Sequence, residues 1–244
     1  MPGFERFRMR LQEKADRPAA RPVTYVALGD SVTQGCMEEG IVEHERVYPQ
    51  LLRKRIAERY PASLLNVINS GVAGDTAARS RERWDRDVIR CHPDLVTIMF
   101  GHNDAHGGEQ GLADFIGAIG DLVSLVRAKT EADLLLITPI MMMKRDNPRI
   151  SPKHRHFVPA FLKLHEEGHL RRYVEALRTF ALYADLPLLD VYAMWEQMEQ
   201  AGADIHERLA NGINHPDRLF HEELAEALEL KLFAEEPGER IGAD

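Results

Sequence analysis

Cysteine is nearly absent from the chain: Cys36 and Cys91 are the only two among 244 residues. Two thiols in a domain of this size are no disulfide framework and are expected to stay reduced. Positive charge is also in short supply, with a formal net charge of -8. A surface of that sign lacks the clustered Lys and Arg that attract nucleic-acid phosphates, so no nucleic-acid partner is expected. Long apolar runs are missing too. No segment approaches the length that crosses a bilayer, and residues 1–22 carry charges throughout instead of the uninterrupted apolar stretch of a signal peptide. The expected location is the cytoplasm, with no membrane partner. At 44% apolar, 29% charged and 7% aromatic residues, the composition lies far from disordered, collagen-like and membrane classes. No internal repeat or low-complexity segment is visible.

What is present is an alternation. Short β-favouring apolar runs recur at residues 23–28, 64–68, 95–100, 134–137 and 186–191. Between and after them, helical spacing covers residues 47–60, 76–89, 112–129, 157–184 and 219–233. Five strands alternating with helices predict right-handed β-α-β crossovers and an α/β fold, a three-layer α/β/α sandwich on a five-stranded parallel sheet. Residues 1–22 read as a short helix and linker, and residues 23–244 as one domain. Oligomeric state is left open. In such a sheet ligands bind outside the carboxyl ends of the strands, so chemistry is expected just after each strand.

Four segments stand at such places. Gly29-Asp30-Ser31-Val32-Thr33-Gln34-Gly35 follows the first strand. A serine at this strand-to-helix turn points its hydroxyl at the sheet edge and its N–H at any anion there, although serine is equally a common helix cap. Asn69-Ser70-Gly71-Val72-Ala73-Gly74-Asp75-Thr76 follows the second, and its Gly74 offers a bare backbone N–H. Its spacing matches neither a Walker A loop nor a dinucleotide fingerprint. After the third strand, Phe100-Gly101-His102-Asn103-Asp104 supplies in Asn103 a side-chain amide able to donate toward developing negative charge, or to cap the loop. Late in the chain His215 stands before Pro216 in Asn211-Gly212-Ile213-Asn214-His215-Pro216, where its ring is a candidate base for Ser31.

Taken in this order and context, the four segments resemble the blocks of the SGNH hydrolase superfamily, the GDSL-like lipases and esterases. The likeness runs from about Thr24 to Phe233. It implies a flavodoxin-like sandwich that hydrolyses small-molecule esters without metal or other cofactor. By the same resemblance Ser31 is the nucleophile, His215 the general base, and the N–H groups of Ser31 and Gly74 with the Asn103 amide form the oxyanion hole.

One position departs from the family. An acidic residue typically stands three places before the base, where this chain has Gly212, preceded by Asn211. Asn211 is therefore the candidate third catalytic residue, with Asp204, Asp217 or a backbone carbonyl as alternatives. Three other readings follow from the same residues. His102, Asp104 and His106 alternate and His215 and His221 lie together, as metal ligands could. An acyltransferase would differ only in using an alcohol in place of water. A non-catalytic ester- or carbohydrate-binding protein would keep the cleft alone. Residues 141–159 form a long connection expected to overhang the cleft. Its Met141-Met142-Met143 suits an acyl pocket or the core, and its Lys144, Arg145, Lys153, His154, Arg155 and His156 suit a polar or anionic substrate such as an acetylated sugar, or simply solvent.

Overall fold

A computed structural model describes residues 3–234; residues 235–244, read from sequence as the end of the domain, lie outside the described residues. Five strands, β1 (Val23–Gly29), β2 (Leu65–Gly71), β3 (Leu95–Met99), β4 (Asp133–Ile137) and β5 (Leu188–Leu189), form one sheet in the order β2-β1-β3-β4-β5. Every pairing is parallel. All residues of β1 and β3 are buried, because helices cover both faces of a central parallel strand and leave no polar side to alternate. The chain runs outward from β1 to β2, then returns to β3 on the other side of β1. That reversal opens a crevice at the carboxyl ends of β1 and β3.

The helices are α1 (Glu5–Asp16), α2 (Ser31–Gln34), α3 (Tyr48–Arg59), α4 (Trp84–Asp87), α5 (Gly108–Lys129), α6 (Val158–Glu166), α7 (His169–Tyr183), α8 (Val191–Gln200) and α9 (Arg218–Phe233). α3 and α9 pack together, tied by Arg55–Glu229 and by Tyr60 against Phe233. α5 meets α7 through Phe115 and Tyr173, whose ring centroids lie 5.2 Å apart. α1 is built into the same core. Phe7 and Leu11 are fully buried, each burial stabilising by about 1.5–3 kcal/mol, and the Phe7 N–H donates to Asp133 at the start of β4. Its apolar face is thus covered by its own domain.

Three expectations need correction. The helical stretch 157–184 is two helices, parted at Gly168, whose φ of +68° belongs to the left-handed region. The stretch 76–89 is a broken series: a 3-10 turn at Arg79–Arg83, α4, then another turn at Ile89–Cys91. α8 was not anticipated; the Asp190 side chain caps it by accepting from the Ala193 N–H, which stops β5 after two residues. Cys36 and Cys91 are both free thiols, and no described helix is long and apolar enough to cross a membrane.

Candidate active site

Ser31 is the first residue of α2, directly beyond β1, and is buried. The helix begins there because the Asp30 carboxylate caps it, accepting from the Val32 N–H at 2.9 Å. Capping is therefore the work of Asp30, which leaves the Ser31 side chain free of that role. α2 is then ended by Gly35, and the Gly35 and Cys36 N–H groups both return to the Ser31 carbonyl.

Gly74 lies in the loop after β2 with φ of +75°, and the space a Cβ would occupy there is open for 4 Å. The backbone is thus open at that point. Asn103, after β3, donates one amide hydrogen to the Asp75 carbonyl at 2.8 Å; a carboxamide nitrogen carries two, so the second remains available. Two buried groups hold these loops in register. The Arg83 guanidinium reaches the Asp75 carboxylate, the Ser70 carbonyl and the Gly29 carbonyl at 2.7–3.2 Å. Asp104 accepts from the N–H groups of Ala77 and Gly101. The ends of β1, β2 and β3 are thereby locked together around Ser31.

His215 lies in the loop before α9, and its Nδ1 is 3.0 Å from the Met37 carbonyl oxygen. A carbonyl can only accept, so Nδ1 carries the proton and Nε2 is the basic nitrogen. Met37 belongs to the turn that follows α2, fixed by hydrogen bonds between its N–H and the Ile41 carbonyl. The imidazole is therefore oriented by backbone belonging to the same turn system as Ser31. Burial holds its pKa down to about 4, against the raising effect of the Met37 carbonyl, so the ring is neutral and able to take a proton at neutral pH. No hydrogen bond joins Ser31 Oγ to His215 in this structure, and apo geometry of this kind commonly tightens only with substrate bound.

The candidate third residues go elsewhere. Asn211 Oδ1 accepts from the N–H groups of Ile213, Asn214 and His215, each at 2.9 Å, and its amide donates to Asn214. It shapes the loop, and the ring-orienting role expected of it falls to the Met37 carbonyl. Asp204 pairs with His206 and Arg145, and Asp217 caps α9 and pairs with Arg208. Gly212 shows why no acid occupies the family position. Its φ is +74°, and a Cβ there would stand 2.9 Å from the Ile150 side chain and 3.2 Å from the Ile150 nitrogen. A side chain would be both strained and crowded.

Close to Ser31, through its neighbour Asp30, His102 is buried and its Nε2–H donates to the Ile140 carbonyl at 2.8 Å. Its unprotonated Nδ1 faces Asp30 at 3.8 Å, while burial lowers the imidazole to about 4. Burial likewise raises Asp30 and Asp104 to about 7. The residues that alternate with it do not converge on one point: Asp104 serves two backbone N–H groups, and His106 meets Phe161 edge-on. Late in the chain, His221 accepts from the Tyr48 N–H and stacks on the Tyr48 ring.

The run Met141-Met142-Met143 is buried. Met141 and Met142 line a cavity of about 410 Å³ with Leu164, Leu170 and Tyr192, and none of Ser31, Gly74, Asn103 or His215 borders it. The long connection 141–159 is moored at several points. Asn147 donates to the Gly212 and His206 carbonyls, and the Met143 N–H to that of Ile213. Its cations are paired: Lys144 with Glu199, Arg145 with Asp204, Lys153 with Glu39, and Arg155 with Asp146.

Sequence reasoning missed Met37 and Arg83. A carbonyl orienter leaves no residue-type signal, and Arg83 stands among Arg79, Arg81 and Arg86 with nothing in its residue type to set it apart. The helical spacing of residues 76–89 carries no sign of the break that turns Arg83 inward.

Residues 27–222 match the model of the GDSL-like Lipase/Acylhydrolase family, and the chain belongs to that family of carboxylic ester hydrolases. Two curated proteins are similar over segments. An acetylxylan esterase of Geobacillus stearothermophilus is 44% identical over 45 residues, 18% of this chain and 20% of its own. An uncharacterized lipoprotein of Bacillus subtilis is 35% identical over 81 residues, 33% of this chain and 31% of its own. The matched segments thus span a fifth to a third of those relatives. Among solved structures, a Geobacillus stearothermophilus acetylxylan esterase superposes with TM-score 0.66 at 20% identity, covering 87% of this chain and 95% of that one. A lipase/acylhydrolase from Enterococcus faecalis gives 0.65 at 22%, covering 86% and 95%. A two-domain esterase active on acetylated mannans gives 0.64 at 20%, covering 91% of this chain and 52% of that one. These likenesses share the α/β fold described above.

Proposed function

We propose that the chain is a serine esterase that removes small acyl groups, acetyl above all, from carbohydrate esters through an acyl-enzyme on Ser31. The observation that carries the mechanism is the His215 Nδ1–H bond to the Met37 carbonyl, which reserves Nε2 as the base without a carboxylate. As Ser31 Oγ bonds to the ester carbonyl carbon, its proton passes to His215 Nε2. The carbonyl oxygen becomes an oxyanion facing the N–H groups of Ser31 and Gly74 and the second Asn103 amide hydrogen. Collapse breaks the bond to the alcohol oxygen, which leaves with the proton from His215. Water then repeats the sequence and frees the acid.

The Ser-His pairing is supported by the solved structures of the Geobacillus esterase, which include catalytic mutants at a serine and at a histidine. The acetylated-sugar class is supported by relatives described as acetylxylan esterases and as active on acetylated mannans. A fluorophosphonate probe tests the nucleophile, because it labels only an activated serine. Labelling is expected in the wild-type protein, and the label is expected to vanish, along with p-nitrophenyl acetate hydrolysis, in Ser31→Ala. Undiminished hydrolysis by that variant overturns the assignment.

A further inference from the structure

The 3-10 turn Pro152–Phe157 and the helix α6 that follows it are tied to two loops that carry candidate site residues. On one side Lys153 and Ser151 bind Glu39, in the turn that carries Met37 and through it His215. On the other, α6 follows directly, and its Phe161 meets His106, just past Asn103, with centroids 5.0 Å apart. The turn together with the start of α6 therefore runs from the loop that carries Met37 to the loop that carries Asn103.

What this bridge exposes is aromatic. Phe157 is 44% exposed, though it stands in an otherwise polar turn. The His156 ring lies against it with centroids 3.9 Å apart, and His154 lies 6.1 Å away. The cations beside these rings, Lys153 and Arg155, are neutralised by Glu39 and Asp146. The rim thus offers an apolar ring face with imidazole donors and acceptors around it and little net charge. An anionic substrate gains little from such a surface, whereas a neutral pyranose, with an apolar C–H face edged by hydroxyls, fits it.

We propose that Phe157, flanked by His154 and His156, is a platform that holds a sugar ring of a neutral oligosaccharide ester beside Ser31. The proposal rests on the esterase reading for its substrate, while its test does not need turnover. Calorimetric binding of deacetylated xylotetraose and mannotetraose is measured for the wild type, Phe157→Ala and Phe157→Tyr. The wild type is expected to bind at least one of them, Phe157→Ala to weaken that Kd about tenfold as one aromatic contact is lost, and Phe157→Tyr to retain it. On an acetylated xylo-oligosaccharide the loss in Phe157→Ala is expected in KM with kcat kept within about threefold, since no reacting group is touched. Equal Kd for wild type and Phe157→Ala overturns the platform, as does failure of the wild type to bind either glycan. Phe157-dependent binding without any p-nitrophenyl acetate turnover supports the platform and sinks the esterase reading alone.

Discussion

Replacing Asn211 by Asp separates two accounts of how His215 is held. If Asn211 stood in for the missing carboxylate, restoring the acid would supply an anion to the imidazolium. In another serine hydrolase the reverse change, from carboxylate to amide, cost about four orders of magnitude in turnover, so a large gain is the expectation of that account. The structure predicts otherwise. Asn211 Oδ1 is occupied by three backbone N–H groups, and the ring bonds the Met37 carbonyl. An Asp keeps the three acceptor bonds and strengthens them by charge, but sets its second oxygen against Asn214 Oδ1, to which the amide now donates. These effects oppose one another, so kcat for p-nitrophenyl acetate is expected to stay within about threefold of wild type. Asn211→Ala is the complementary change. It strips an acceptor from two buried N–H groups and one part-buried one at about 1 kcal/mol each, so denaturant unfolding should report a loss on the order of 2–3 kcal/mol. A rise in kcat of tenfold or more in Asn211→Asp would refute the carbonyl-oriented base.

Three further outcomes follow from the same geometry. Asn103→Ala removes one donor to the oxyanion and should lower kcat about 10²- to 10³-fold with KM little changed; a change under threefold in steady-state assays would remove Asn103 from the oxyanion hole. The pH profile of kcat/KM should keep its activity well below the ordinary histidine value of 6.5, because burial holds His215 near 4 and its base form persists down to that range. An acid limb centred at 6.5 or above would contradict this. The linked stability term has a definite sign: the unfolded imidazole binds a proton between about 6.5 and 4 that the native one refuses, so this group's contribution to stability falls as pH drops through that window.

The sequence by itself determined the sheet. Apolar runs such as 23–28 and 95–100, short and β-favouring, read as strands covered on both faces, and their alternation with helical spacing points to parallel crossovers as the connection. It also placed Ser31, Gly74 and Asn103 at strand ends, because turn residues there are legible by type. The tertiary structure decided what depends on through-space contacts or on backbone groups, which have no letter in the sequence. Met37 orients His215 with a carbonyl that every residue possesses. Arg83 differs from its arginine neighbours only by being folded inward onto Asp75 and two strand-end carbonyls. Gly212 looked like a lost acid until Ile150 was seen to fill the space beside it. The Ser31 loop could be recognised alone, but the group that orients His215 could be assigned only once residues far apart in the chain were brought within hydrogen-bonding distance.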